Sequence, residues 1–226
     1  MSRVLLAAAA VALALFVQAL PAEAQTAPAP TPVYDAEGYA PGLAAHYYRD
    51  EDYWGGQWPD GVSVPNVASA DHTFRQYKYT RVEPLISHLF ITRGWFSVRW
   101  QGYLTIPAAE TPDAEFLYKF YVFADDGCRL FIDGEKLIDD WRPCSENAPD
   151  AIRSVSKKLK AGRHRIVVEY FQGQSLAAND RDPIRLSWEC RARGLKSTVI
   201  PETQFSHRRE DLTPQAGRLD GASKRK

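Results

Sequence analysis

The chain has 226 residues, enough for one ordinary domain with tails or for two small ones. Lys+Arg and Asp+Glu are both 28, so the formal charge is zero, and no basic field exists to hold nucleic acid or another polyanion. Aromatic residues make up 12%, including six Trp and eleven Tyr; rings of this kind fill cores, and sugar-stacking surfaces draw on the same supply.

Arg3 gives a positive start, residues 4–17 are almost wholly apolar, and Leu20-Pro21-Ala22-Glu23-Ala24-Gln25 has small residues at 22 and 24, where signal peptidase needs them. Residues 1–24 are therefore expected to be a secretory signal peptide. The apolar run is too short for an anchor, and no later segment could span a bilayer as a helix. The mature protein is expected to begin near Gln25 and to be periplasmic or secreted. Residues 25–41, opening with Pro, Ala and Thr, read as a linker, because such a composition cannot bury a core. Residues 205–226, rich in charge and turn formers, read as a disordered tail. Between them, 42–204 is sized as one domain.

Inside that span the hydrophobic period is two. Phe96, Val98 and Trp100 alternate with Ser97, Arg99 and Gln101. Residues 116–124 are nearly all apolar, as expected of a strand buried on both faces or central in a sandwich. Residues 128–132 and 136–138 flank Asp133-Gly134, a two-residue hairpin signal whose turn needs positive φ at both positions. Residues 163–171 and 184–190 alternate again. Strands about a dozen residues apart, separated by Gly, Pro and Asp turns, describe an all-β antiparallel sandwich or barrel. No segment makes a convincing amphipathic helix.

Export permits disulfides. Three cysteines allow one internal bridge at most, and their spacing fits no zinc or redox motif. Cys128 and Cys144 would close a short local loop and are the preferred pair. The alternation of 184–190 points Cys190 at the core as a small hydrophobe. No nucleophile elbow, HExxH helix or phosphate loop is present, so an enzyme is not expected. The five histidines are scattered. Tyr53-Trp54-Gly55-Gly56-Gln57-Trp58 could stack a sugar, but packing on the domain is the expected reading.

Several segments together resemble the PA14 domain family, the lectin-like β-sandwich of the protective-antigen type. They are Gly42-Leu43 with Tyr47-Tyr48, residues 96–104, Phe120-Tyr121-Val122-Phe123-Ala124-Asp125-Asp126-Gly127 running into Arg129-Leu130-Phe131-Ile132-Asp133-Gly134, Ile138-Asp139-Asp140-Trp141, residues 159–164, Val168-Glu169-Tyr170-Phe171 and Arg185-Leu186-Ser187-Trp188. The resemblance covers roughly residues 42–190. It implies carbohydrate binding as the best-attested role, although fold does not fix function.

It also implies a site. In sugar-binding members the pair matching Asp125 and Asp126 binds calcium and is joined by a cis peptide bond. Neighbouring side chains on an extended strand point to opposite faces, whereas a cis bond turns both carboxylates one way. Calcium takes six to eight oxygen ligands, which leaves room for sugar hydroxyls. Further ligands are expected from the 172–183 loop, where Asn179, Asp180 and Asp182 carry oxygen. Read without the resemblance, Asp125-Asp126-Gly127 is a turn motif, and the loop residues are turn formers before Pro183. Asp133, Asp139 and Asp140 read as solvated or turn-stabilising. The expected partner is a glycan or cell-envelope polysaccharide. The alternative is a non-catalytic structural or protein-interaction module of the envelope with no sugar ligand.

Overall fold

The computed structural model describes residues 31–50, 73–74, 76–90, 95–111, 113–173 and 182–215. The signal-peptide reading of 1–24, the Tyr53–Trp58 loop, Asn179 and Asp180 lie outside these residues. The strands in chain order are β1 (Tyr39–Pro41), β2 (Leu43–Arg49), β3 (Gln76–Glu83), β4 (Ser87–Phe90), β5 (Phe96–Ile106), β6 (Phe116–Ala124), β7 (Gly127–Ile132), β8 (Glu135–Asp140), β9 (Ile152–Leu159), β10 (Gly162–Gln172), β11 (Asp182–Cys190), β12 (Leu195–Val199) and β13 (Phe205–Arg208). Among the described residues the only helices are short 3-10 turns at Arg191–Arg193, Glu202–Gln204 and Arg209–Leu212.

The strands form two antiparallel sheets. The larger runs β1-β13-β5-β10-β7-β8, with β2 also pairing β5 and carrying β3 outside it. The smaller runs β12-β11-β6-β9, with β4 beside β11. Alternate residues of both sheets meet in one core that includes Val98, Trp100, Leu104, Phe120, Val122, Leu130, Val168, Tyr170, Leu186 and Trp188. Each such large apolar side chain contributes about 1.5–3 kcal/mol on burial. The expected antiparallel β-sandwich is the observed fold. Asp133 and Gly134 have φ of 53° and 79°, both positive, as the β7–β8 hairpin turn requires.

Two strands differ from their sequence reading. β6 is central in its sheet, between β11 and β9, but is not buried on both faces: Tyr118, Phe120, Val122 and Ala124 are buried, while Leu117 is exposed and Lys119, Tyr121 and Phe123 are half-buried. Its outward face is rich in apolar residues, but among the described residues no other layer covers it. Conversely, β5 reads as half-polar and is buried on both faces from Ser97 to Gly102.

The cover over β5 comes partly from the segment read as a disordered tail, and this corrects the 205–226 boundary. Phe205, His207 and Asp211 are buried. β13 pairs with β1 and β5, and β1 itself lies in the segment read as linker (25–41). Beyond β13 the chain crosses the outer face of β2 and β5. The Asp211 carbonyl accepts from Gln101 Nε2 and lies 2.9 Å from His46 Nε2, and the Gln215 carbonyl accepts from Arg99 Nη1 and the Tyr48 hydroxyl. The polar residues of 205–215 belong there because they answer a polar sheet face.

That face carries a row of one residue from each of six neighbouring strands: Thr80, His46, Arg99, Glu169, Arg129 and Asp139, in mutual register. From Arg99 the charges alternate. Arg99 bonds Glu169 Oε1 through Nε (2.9 Å) and Nη2 (2.6 Å), Arg129 Nη1 reaches Glu169 Oε2 (3.2 Å), and Arg129 Nε reaches Asp139 Oδ1 (2.7 Å). Phe74 lies over Arg99 and Trp141 over Arg129, at 4.3 and 4.2 Å, and the two rings stack on each other. Asp139 is thus an ion-pair partner as well as a hairpin residue.

Candidate functional site

The Asp125–Asp126 pair joins β6 to β7, and the bond between the two aspartates is cis. Both strands are fixed by their neighbours. Ala124 pairs with Ile184 of β11, the Asp125 N–H donates to the Pro183 carbonyl (3.1 Å), and Gly127 pairs with Phe171 of β10. The pair therefore lies where β10 ends and β11 begins, beside Gly173 and Asp182.

The carboxylates are held by backbone donors. Asp126 Oδ1 accepts from the Cys144 N–H (2.8 Å) and Oδ2 from the Gly173 N–H (2.7 Å), while Asp125 Oδ2 accepts from the Glu146 N–H (2.6 Å). Glycine at 173 permits the close approach: a Cβ there would fall 2.9 Å from Asp126 Oδ2, next to the Trp95 ring. Gly127 is required for packing, since a Cβ would fall 2.8 Å from Phe171 Cδ1 and still nearer Cε1.

Arg153 braces the pair from beneath. Its guanidinium donates to the carbonyls of Ala124 (2.6 Å), Ala151 (2.9 Å) and Asp126 (3.3 Å), and to Asp140 Oδ2 (2.7 Å). The Tyr170 hydroxyl reaches up from the core to the Asp125 carbonyl, 2.5 Å away, and lies 2.8 Å from Gln172 Oε1.

The electrostatics report a concentration of negative charge. Burial raises the Asp126 carboxyl above its ordinary range, against the Gly173 and Cys144 amides and Arg153, which all lower it. The Tyr170 hydroxyl is driven well above its usual value, first by burial and then by Asp182, Asp126 and Asp125. Three carboxylates from two strand junctions thus bear on one point. Asp126 and Asp182 are 8% and 2% exposed, so water screens them little.

Hard oxygen donors of this kind suit calcium, and buried like charges are what a bound cation would relieve. In kind, Asp125, Asp126 and Asp182 fit such an ion. In number they do not complete a shell, and among the described residues no group of three or more acidic, His or Cys side chains is arranged as a metal centre. Asn179 and Asp180, the other expected donors, lie outside the described residues.

The expected Cys128–Cys144 disulfide is corrected: all three cysteines are free and buried. Cys128 is part of the core, where burial pushes its thiol up to about 12. Cys144 Sγ is turned instead toward the Ser145 carbonyl (3.5 Å) and Asp150 Oδ1 (3.8 Å). The part Cys144 plays at the site is through its backbone N–H. Cys190 is a core thiol, as its strand position implied.

Sequence reasoning missed Arg153, Tyr170, Trp95 and the amides of Cys144, Glu146 and Gly173. Backbone donors leave no trace in side-chain identity. Arg153 reads as an ordinary strand charge, yet it shares the inward face of β9 with Val155 and Leu159 and from there reaches the β6–β7 junction. The one available signal was Gly173, a glycine directly after a long alternating strand.

Residues 87–202 match the family model of the PA14 domain. The chain is 29% identical over 141 residues to anti-sigma-I factor RsgI3 of Acetivibrio thermocellus, an alignment covering 58% of this chain and 19% of that protein. The chain thus matches less than a fifth of its curated relative's length. An anti-sigma factor domain-containing protein shares the fold at 24% identity and a TM-score of 0.55, over 78% of this chain and 50% of the other. The PA14 sugar-binding domain from an RTX adhesin shares it at 17% identity and a TM-score of 0.52, over 74% of this chain and 98% of that domain. With a matching family model over half its length, the expected strand architecture and the aspartate pair at the β6–β7 junction, the chain belongs to the PA14 domain family.

Proposed function

We propose that this domain is an exported, non-catalytic module that binds glycan through a calcium ion held by Asp125, Asp126 and Asp182, with Asn179 and Asp180 of the 172–183 loop completing the shell. The observation that carries the reading is the placing of Asp125 and the buried Asp126 and Asp182 at the adjoining β6–β7 and β10–β11 junctions, with the two paired carboxylates oriented by backbone amides. Calcium would supply a site for two neighbouring sugar hydroxyls. The protein's own part is to fix the donors: the amides of Cys144, Glu146 and Gly173 orient the two carboxylates, and Arg153 holds the carbonyls on either side of them. The sugar-binding PA14 domain of the RTX adhesin supports the glycan part of the reading. Among the described residues no helix is long and apolar enough to cross a membrane.

The likeness to an anti-sigma factor favours a second reading, an interaction module of a larger regulatory assembly that uses the same sandwich without sugar. Calorimetric calcium titration of residues 25–226, beside Asp125→Ala/Asp126→Ala, separates the two. One ion bound at micromolar affinity or tighter by the parent and lost in the variant supports the site. A glycan array with calcium and with chelator then tests the sugar. No calcium binding by the parent overturns the first reading, and calcium binding with a blank array overturns its glycan part.

A further inference from the structure

The register of the smaller sheet sets the side chains of its outer face in rows. Phe123 of β6 lies between Ile152 of β9 and Arg185 of β11, and Tyr121 lies between Ser154 and Ser187. Lys119 faces Ser156 and Glu189, and Leu117 faces Lys158. Seven large hydrophobic residues are exposed among the described residues, and three of them, Leu89, Leu117 and Ile152, belong to the strands of this sheet. Exposed apolar side chains gathered on one face, with polar ones around them, mark a contact surface.

The charge in these rows is one-sided, although the chain as a whole is neutral. Lys119, Lys158 and Arg185 stand against Glu189 alone, and Glu189 faces Lys119 in register and lies 3.9 Å from Arg191. The cross-strand neighbours of Arg185 are Phe123 and Ser87, and that of Lys158 is Leu117, so no carboxylate of the rows answers either cation. The two rings are not open platforms for sugar. Lys119 Nζ lies 4.8 Å over Tyr121, and the Arg185 guanidinium lies 5.5 Å over Phe123. From Leu117 to Phe123 is about 20 Å at strand rise, and from β9 to β4 is three strand spacings, about 14 Å. Such a footprint is small beside the roughly 800 Å² per partner of a standard protein interface. It matches one helical segment, about 10 Å across.

We propose that this face docks one acidic segment of another polypeptide. Its carboxylates pair with Arg185 and Lys158, and its apolar side chains pack on Phe123, Ile152 and Leu117. A second copy of the same face does not serve, because it sets like cations against one another. Residues 216–226 of this chain have the wrong sign, with four basic side chains and one acidic. The contact needs no calcium, since its charges are carried by the two chains.

The test selects binders to residues 25–226 from a displayed library of random short peptides, in the presence of chelator. The expected result is a set of peptides rich in Asp and Glu with apolar residues between them. They should bind about tenfold more weakly to Arg185→Glu/Lys158→Glu, and more weakly to the parent as salt rises. The backbone amide peaks of the ¹⁵N-labelled chain that they shift should lie on β6, β9 and β11. Leu117→Ser/Ile152→Ser keeps every charge and should also weaken binding, which supplies a second reading should the charge variant not fold. Polygalacturonate and phosphatidylglycerol vesicles are titrated in parallel. No enriched peptide, peptides without an acidic surplus, or binding unchanged in both variants overturns the proposal. Polygalacturonate or vesicles binding more tightly than any selected peptide, with that binding lost in the charge variant, overturns it too and assigns the face to an acidic polysaccharide or a membrane.

Discussion

Replacing Glu169 with Gln tests whether the charged row on the larger sheet is a compensated unit. Glu169 sits between Arg99 and Arg129 with side-chain exposures of 0%, 0% and 3%, so no member has water to fall back on. In Glu169→Gln the volume is kept and the charge is lost, leaving two guanidinium groups facing a neutral amide. Removing one partner of a buried pair costs about 3–5 kcal/mol. The low end applies here, because Arg129 keeps Asp139 and Arg99 keeps the Gln215 carbonyl. A loss of about 3 kcal/mol is a large fraction of the 5–15 kcal/mol typical of a domain, and lowers Tm by about 6–12 °C at this size. Urea and thermal unfolding at neutral pH, followed by circular dichroism, would measure it. The same reasoning makes the triple variant Arg99→Met/Glu169→Leu/Arg129→Met more stable than Glu169→Gln, since it leaves neither buried arginine without its counter-charge. A loss below about 1 kcal/mol for Glu169→Gln, the range of an exposed pair, or a triple variant less stable than the single one, would refute the argument.

His46 is held neutral by burial, with the nearby Arg99 charge acting in the same sense, and its pKa falls to about 4 from 6.5. Between those values the unfolded chain binds the extra proton, so stability is lost as pH falls from 6.5 toward 4; His46→Gln should flatten that limb in urea midpoints measured across the range. Gly127→Ala drives a methyl into the Phe171 ring and should cost about 1–3 kcal/mol by the same unfolding assay. Ending the chain after Gln204 removes β13 and the cover over His46, Arg99 and Gln101. Proteolysis and thermal melts should show it several degrees less stable than a chain ending at Gln215, whereas equal stability would restore the disordered-tail reading.

Much of the architecture was legible because period-two patterning and turn chemistry are local. Asp133 and Gly134 announce a hairpin whatever surrounds them, and the alternation of 184–190 places Trp188 and Cys190 inside. The aspartate pair was legible as well, but only through resemblance, since Asp-Asp-Gly taken alone is a turn. Composition misleads where burial depends on a distant layer. β6 looks like a strand buried on both faces because Leu117, Tyr121 and Phe123 are apolar, yet nothing in the described chain covers that face. Ser97, Arg99 and Gln101 look like a solvent face, yet Phe74 donates to Ser97, and a segment more than a hundred residues later closes over Arg99 and Gln101.

Cysteine pairing failed for a related reason. Sixteen positions of separation allow a loop but do not orient two thiols, and the core claims Cys128 while Cys144 spends its backbone on Asp126. The sequence by itself determined the central strands and the β7–β8 hairpin, because these follow from side-chain pattern and from short-range backbone preference. Tertiary structure alone decided which polar side chains are buried and which backbone amides grip the carboxylates. Those depend on which surfaces of two sheets meet, and no local stretch of sequence contains that information.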